Sequence, residues 1–279
     1  MQGNATPTVV PDRTPQRVRH ALRLRVLEVR NVEPLTPHML RVTLGDDDLE
    51  GFTSPGFDDH VKLFFPNPET GELALPQLDA QGVANPAPGD SPRRMRDYTP
   101  RRYDEASNTL VIDFAMHDAG PATQWAREAK PGDRIGVGGP RGSFVIPMNF
   151  DGYVLIGDDT ALPAISRRLA ELPAGAPAFV FAEIDSPAGR LRFASDADVV
   201  VEWIFREGTP AGESTALLDA LQVATLPAGD VHAWIAAEAG VAKAVRRHLV
   251  ETRGLNPKWV KAAAYWRRGD PAVHENLDD

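Results

Sequence analysis

The chain has 279 residues, with 30 Lys and Arg against 39 Asp and Glu, for a net charge of −9. That acidic balance argues against a nucleic-acid binder, which needs a basic surplus to track phosphates, and against attraction to an anionic membrane face. Zero Cys excludes disulfides, thiol nucleophiles, thiolate zinc sites and cysteine-ligated iron–sulfur clusters, so redox chemistry here would need an organic cofactor.

Residues 1–16 are polar and proline-spotted, which reads as a loose tail rather than a signal peptide. No apolar run is long enough to cross a membrane, so the expectation is a soluble, cytoplasmic protein without membrane insertion. Between residues 21 and 145 the apolar positions recur at strand spacing. Leu22, Leu24 and Val26 alternate with Arg23 and Arg25, and further runs fall at 39–44, 61–65, 109–116 and 134–137. Short strands punctuated by Pro and Gly predict an antiparallel barrel, and the proline-rich stretch 76–92 reads as a long loop within it.

After Phe150 the pattern changes. Strands are expected at 153–156, 177–184, 199–205, 232–237 and 259–266, and helices at 161–172, 215–223 and 241–252. The helix 161–172 has Leu162, Ile165, Leu169 and Leu172 on one face. Strand, helix, strand in this rhythm predicts a parallel sheet with ligands at the carboxyl ends of its strands. The expected division is a flexible tail 1–17, a barrel domain 18–149 and an α/β domain 150–279.

Four segments could carry chemistry. In the first, strand alternation over 96–99 puts Arg96 and Tyr98 on one face and Asp97 and Thr99 on the other, followed by Pro100. A guanidinium two residues from an aromatic ring suits a ligand with both phosphate and a flat ring; a basic, solvated strand with Tyr98 packed on the barrel is the competing reading. In the second, residues 117–126, Gly120 then Pro121 and Ala122 fit a helix start, where small residues leave backbone N–H groups clear for a pyrophosphate. A short capping helix with Trp125 in the core fits equally.

The third segment, 157–164, follows the first strand of the α/β half and contains Asp159, Thr160 and Ala161 where such domains place a phosphate or a nicotinamide. It lacks the GxGxxG spacing, and Thr160 as an ordinary helix cap is the alternative. The fourth is Tyr265-Trp266-Arg267-Arg268, adjacent aromatics that could cover a flat cofactor beside two arginines that could hold an anion, or simply an anchored C-terminus. Lys62, in the apolar run 61–65, points outward or into a cleft. Seven histidines form no HxH or HxxxH pair, which speaks against a protein-bound metal, and there is neither a GxSxG elbow nor a P-loop.

Taken together, HVKLFFP from His60, RDYTPRRYD from Arg96, HDAGPATQWA from His117, GPRGSF from Gly139, GDDTALPAI from Gly157, WIAAEAGVAKAVRRHL from Trp234 and AYWRRG from Ala264 resemble the siderophore-interacting protein family. Its members are flavin-dependent ferric-siderophore reductases related to the ferredoxin–NADP reductase superfamily. The resemblance, spanning residues 23–269, implies an N-terminal FAD-binding β-barrel and a C-terminal NAD(P)H-binding parallel-sheet domain. Electrons would pass from NADPH or NADH through FAD to the Fe(III) of a ferric siderophore, releasing Fe(II).

It also implies roles. Arg96 would face the FAD phosphates, Tyr98 the ring or ribityl chain and Thr99 the reactive edge, with Pro100 beside them. His117, Gly120, Pro121 and Ala122 would carry the pyrophosphate, Asp159, Thr160 and Ala161 would lie on the nicotinamide side, and Tyr265 or Trp266 near the flavin. A basic cluster for an anionic siderophore maps onto Lys62, Arg141 and Arg267 or Arg268. The chain departs from the family pattern at Phe205, Ala237 and Ala264, all on the nicotinamide side. A ferredoxin as donor, an NAD(P)H:flavin reductase and a non-enzymatic ferric-siderophore carrier are the alternatives.

Overall fold

The computed structural model describes residues 12–79, 84–85, 95–117, 120–269 and 275–277. The first half contributes strands β1 (Gln16–Arg19), β2 (Leu24–Thr36), β3 (Met39–Gly45), β4 (Val61–Phe64), β5 (Gln77–Leu78), β6 (Ala84–Asn85), β7 (Met95–Tyr98), β8 (Arg102–Asp104), β9 (Thr109–Ala115), β10 (Arg134–Gly138) and β11 (Gly142–Val145), with helix α1 (Pro121–Glu128). Seven of these form an antiparallel sheet in the order β7-β4-β10-β2-β3-β9-β8. Alternation drives it: Leu27, Val29, Val42, Leu44, Leu63, Ile112 and Phe114 point inward and are essentially fully buried. The expected barrel is a curled sheet whose edge β7 comes round to the far side, where the Tyr98 ring lies 4.5 Å from that of Phe114 on β9.

The second half holds β12 (Gly152–Gly157), β13 (Pro177–Ile184), β14 (Asp198–Phe205), β15 (Val231–Glu238), β16 (Val260–Trp266) and β17 (Glu275–Asn276) with helices α2 (Leu162–Glu171), α3 (Ala216–Val223) and α4 (Ala239–Arg247). The order is β14-β13-β12-β15-β16-β17, parallel except for β17. β12 and β15 are buried along their whole length, as strands covered on both faces must be. The order reverses between β12 and β15, the position at which such sheets hold ligands. The expected basic helix 241–252 is α4 running on into one wider π turn, His248–Thr252.

One apolar core joins the halves: Met39, Phe57, Ile146 and Phe150 pack with Tyr153, Leu155, Leu162 and Trp234. Polar ties reinforce it. Asp58 accepts from Trp234 Nε1 at 3.1 Å and pairs with Lys261 at 2.7 Å. Arg168, 1 % exposed, sits 5.0 Å from both the Phe57 and Tyr153 rings.

The expectation of a loose tail through residue 17 is corrected from Asp12 onward. Arg13 is buried, pairs with Asp230 at 2.5 Å, donates to the Asn149 carbonyl at 3.1 Å and packs over Phe150 and Trp259. β1 pairs with β11 over four residues. Composition gave no hint of this, because a single anchoring Arg in a polar segment looks like any solvated one.

Candidate active site

Helix α1 begins with a gap in its own hydrogen bonding. Its N-cap is Gly120 at φ 136, a conformation that side chains other than glycine's rarely adopt; no side chain caps the helix, and Pro121 follows. The first-turn N–H groups are therefore uncapped by a side chain. Thr123, 2 % exposed, points a hydroxyl with no hydrogen-bond partner among the described residues. A recess of about 570 Å³ opens over this end, lined by Gly120, Pro121, Thr123, Gln124, Arg127 and Glu128. Backbone donors, an orphaned hydroxyl and a glycine at positive φ fit a pyrophosphate.

Across Phe114 from α1 lies the Arg96–Pro100 strand. Phe114 touches both the Trp125 ring of α1, at 5.8 Å, and the Tyr98 ring, at 4.5 Å. Trp125 also packs on Phe65, so it belongs to the core reading. Tyr98 is held against the barrel core, and burial raises the pKa of its hydroxyl. Arg96, opposite Leu63 in the ladder, donates to the Met95 carbonyl at 2.7 Å. Thr99 is buried; burial raises the pKa of the Tyr265 hydroxyl near the end of β16, and the Thr99 side chain beside it opposes that rise. The Pro100 carbonyl accepts from Arg167 of α2 at 2.8 Å.

At the carboxyl edge of the parallel sheet, Gly157 ends β12 where only glycine fits. A Cβ there would lie 2.3 Å from the Ala161 methyl and 2.4 Å from the Ala236 carbonyl oxygen. Thr160 is not the cap that the alternative reading expects: its N–H and hydroxyl donate to Asp158, and Asp158 caps the turn. Asp159 pairs with Arg206 at 2.8 Å, and burial raises the pKa of its carboxyl, with Arg206 opposing. The Trp266 indole donates to Asp158 at 2.8 Å.

The four basic candidates do not form one cluster of bare charges. Lys62 is half-exposed and pairs with Asp97, its ladder partner, at 2.8 Å. Arg267 pairs with Glu275 at 2.9 Å and Arg268 with Glu213 at 2.5 Å. Arg141 is exposed, as is His117. Sequence reasoning missed Asp58, Asp158 and Arg167. The two acids read as turn residues, and an arginine between apolar helix positions reads as a solvated face; nothing local marks them as ties to distant segments. Among the described residues, no three His, Asp or Glu side chains gather as a metal-ligand set, and no helix is long and apolar enough to cross a membrane.

Comparison with known proteins places this geometry. Residues 28–144 match the siderophore-interacting FAD-binding domain and residues 150–269 the siderophore-interacting protein domain. The NADPH-dependent ferric-chelate reductase of Escherichia coli is 38 % identical over 91 % of this chain and 97 % of its own. The chain belongs to the siderophore-interacting protein family. A ferric vibriobactin reductase of Vibrio cholerae is 32 % identical over 90 % of this chain and 93 % of its own. The crystal structure of a siderophore utilization protein from T. fusca superposes with a TM-score of 0.85 at 41 % identity, covering 94 % of this chain and 98 % of that one. The expected two-part architecture, a curled antiparallel sheet followed by a parallel one, is thus a family fold.

Proposed function

We propose that the protein is an FAD-dependent reductase that passes electrons from NADPH to the ferric ion of a bound siderophore, so that iron leaves as Fe(II). The observation that carries this reading is the hydrogen bond from Arg167 of α2 to the Pro100 carbonyl, at 2.8 Å. It joins the strand suited to a flavin to the helix that follows the carboxyl edge suited to a nicotinamide, so the two sites lie together within one chain. When bound, FAD supplies what these side chains lack, taking hydride from a nicotinamide and releasing electrons one at a time to iron.

The protein supplies placement. The α1 N-terminus with Thr123 and Gly120 would hold the pyrophosphate, Arg96 would meet phosphate, and Thr99, next to the Pro100 carbonyl that Arg167 holds, would face the reacting edge. Tyr98 serves chiefly as a wall, since its ring is committed to Phe114. Asp159 and Thr160 support the turn on the nicotinamide side, with Ala161 packed behind it. Residues 18–149 and 150–279 act as the two working units, in the cytoplasm. Arg141 and Lys62 form the attractive rim for an anionic ferric complex, Lys62, Arg267 and Arg268 contributing as Asp97, Glu275 and Glu213 release them.

The deciding experiment is anaerobic absorbance on the purified protein: record the flavin bands, add NADPH, then a ferric siderophore with an Fe(II) trap. Bleaching followed by reoxidation with trapped Fe(II) is the expected result. Bound flavin that NADPH does not reduce points to a ferredoxin-type donor, rapid loss of reduced flavin to an NAD(P)H:flavin reductase, and a colourless protein to a carrier.

Two substitutions follow from the same reading. At a net charge of −9 the chain repels an anionic chelate unless the rim is locally positive. Lys62→Gln is therefore expected to raise KM for such a chelate roughly threefold at low salt, with the gap to wild type closing as salt screens both. His117→Asn should leave steady-state turnover within about twofold of wild type, because no step here asks a side chain for a proton; a loss of tenfold or more would show that an acid or base is needed.

A further inference from the structure

Asp158 does more than cap the turn that follows β12. Its Oδ1 serves that turn, accepting from the Thr160 N–H at 2.9 Å and the Thr160 hydroxyl at 2.5 Å. Its Oδ2 faces away from the turn. It accepts from the Trp266 Nε1–H at 2.8 Å and from the Glu238 N–H at 3.2 Å. Asp158 is 6 % exposed, so this carboxylate is stabilised by donors from three strand ends rather than by water. Arg206, the cation on this edge, pairs with the neighbouring Asp159 instead.

The sheet order gives the bond its meaning. β15 lies between β12 and β16, so an indole rooted on β16 that reaches Asp158 must cross the carboxyl end of β15. Its far edge confirms the span: Cη2 lies 3.0 Å from where a Cβ on Gly212 would stand, beside Glu238 Cγ at 2.8 Å from the same point. Glu238 in turn closes the N-terminus of α4, accepting from Gly240 and Val241 N–H, so that helix end offers its first donors to its own cap rather than to a phosphate. The ring therefore forms a wall over the crevice between β12 and β15, the position where a dinucleotide is held in sheets of this kind.

We propose that Asp158 is a positioning residue for the nicotinamide half of the reaction, fixing the Trp266 indole as the wall of the crevice between β12 and β15. The inference rests on the reductase reading above. A wall fixed before the ligand arrives lowers the ordering cost of binding, so its loss appears in affinity more than in the limiting rate.

Asp158→Asn is the direct test, because it sets an amide against N–H donors on both sides; either orientation of the amide leaves donor facing donor. With the FAD-loaded protein, KM for NADPH should rise about tenfold while the limiting rate of reduction by NADPH changes less than threefold. Kd for NADP⁺, read by perturbation of the flavin bands, should weaken in parallel. FAD retention, and the rate at which dithionite-reduced protein passes electrons to ferric citrate, should match wild type.

Trp266→Phe should reproduce the rise in KM, and adding Asp158→Asn to it should cost less than a further twofold, because the two side chains act as one unit. Unchanged KM, full additivity, or an equal fall in FAD retention and both half-reactions would overturn the proposal. If Asp158→Asn does not fold, Trp266→Phe carries the test alone and must raise KM and Kd with the other readouts unchanged. A wild-type protein that NADPH does not reduce at all fails at the earlier step, the reductase reading, and is distinguished from a variant-specific result.

Discussion

Replacing Arg167 by alanine is expected to destabilise the protein by about 3–4 kcal/mol and to loosen its hold on flavin in the fraction that still folds. The side chain rises from α2 and is 10 % exposed. It donates from Nη1 to Ser54 Oγ at 2.9 Å and to the Pro100 carbonyl at 2.8 Å, from Nη2 to the Ser54 carbonyl, and from Nε to Glu171 at 2.8 Å. Truncation leaves two carbonyls and a hydroxyl short of a donor in a place that water reaches poorly, and each such loss costs more than the bond contributed, while the exposed Glu171 carboxylate turns to water.

The same substitution touches function through Pro100, the residue after Thr99. With its carbonyl released, the end of the Arg96–Pro100 strand loses its tie to the α/β half. Lysine, which has no planar fork, can reach one of these acceptors at a time and should recover less than half of the stability. Urea unfolding gives the stability, and the flavin-to-protein absorbance ratio after gel filtration gives retention. Arg190→Ala is the contrast: that guanidinium lies 4.9 Å from the Phe205 ring on the surface, and its loss should cost under about 1 kcal/mol. Equal effects at the two positions would show that burial and hydrogen bonding at Arg167 matter little.

The elements legible in the sequence are those whose periodicity comes from burial. Pro177–Ile184 is apolar but for Glu183 and is β13 residue for residue, because a strand covered on both faces has no polar alternation to blur its ends. Leu162, Ile165 and Leu169 show one helix face because α2 packs that face on the sheet. β1 and β8 carried no such signal: β1 is QRVR and β8 is RYD, edge segments held by backbone bonds that do not depend on side-chain type.

For the site, the split is between motif and partner. The RDYT and GPA segments announce themselves through residue types that local geometry demands: a proline that opens a helix and a glycine at positive φ before it. Asp158, Asp58 and Arg167 do not, since their roles lie in partners 67 to 176 positions away along the chain. The basic candidates show the limit of counting charge along a sequence. Lys62, Arg267 and Arg268 are each matched with an acid in space, Asp97, Glu275 and Glu213, of which two lie far along the chain.

Lowering the pH from 7 to 5.5 is expected to cost the protein stability through one buried ring. His232 of β15 is 2 % exposed, its Nδ1 has no hydrogen-bond partner among the described residues, and it packs 5.3 Å from Phe150. Burial is the main cause that pushes its pKa down to about 3; Arg168 and Lys261 push the same way and Asp58 opposes. A histidine near 6.5 in the unfolded chain takes up a proton through this range while the folded one stays neutral. The unfolded state therefore binds more protons as the pH falls, and stability falls with it. Between pH 7 and 5.5 the loss from this residue is about 1.3 kcal/mol.

Asp59, Asp159 and Glu183 work in the opposite sense. Burial raises their pKa values, so each takes up a proton more readily in the folded state and adds stability as the pH falls through its folded value. That makes the raw pH profile a sum of opposing slopes, and the informative quantity is the difference between wild type and His232→Phe. Phenylalanine fills the ring's place beside Phe150 and cannot titrate. Urea unfolding of both proteins at pH 7 and 5.5 should show the wild type losing about 1.3 kcal/mol more than the variant. Equal losses would mean that the ring gains its proton in the folded protein, and that the apolar packing of β15 against Phe150 opens far more readily than its burial implies.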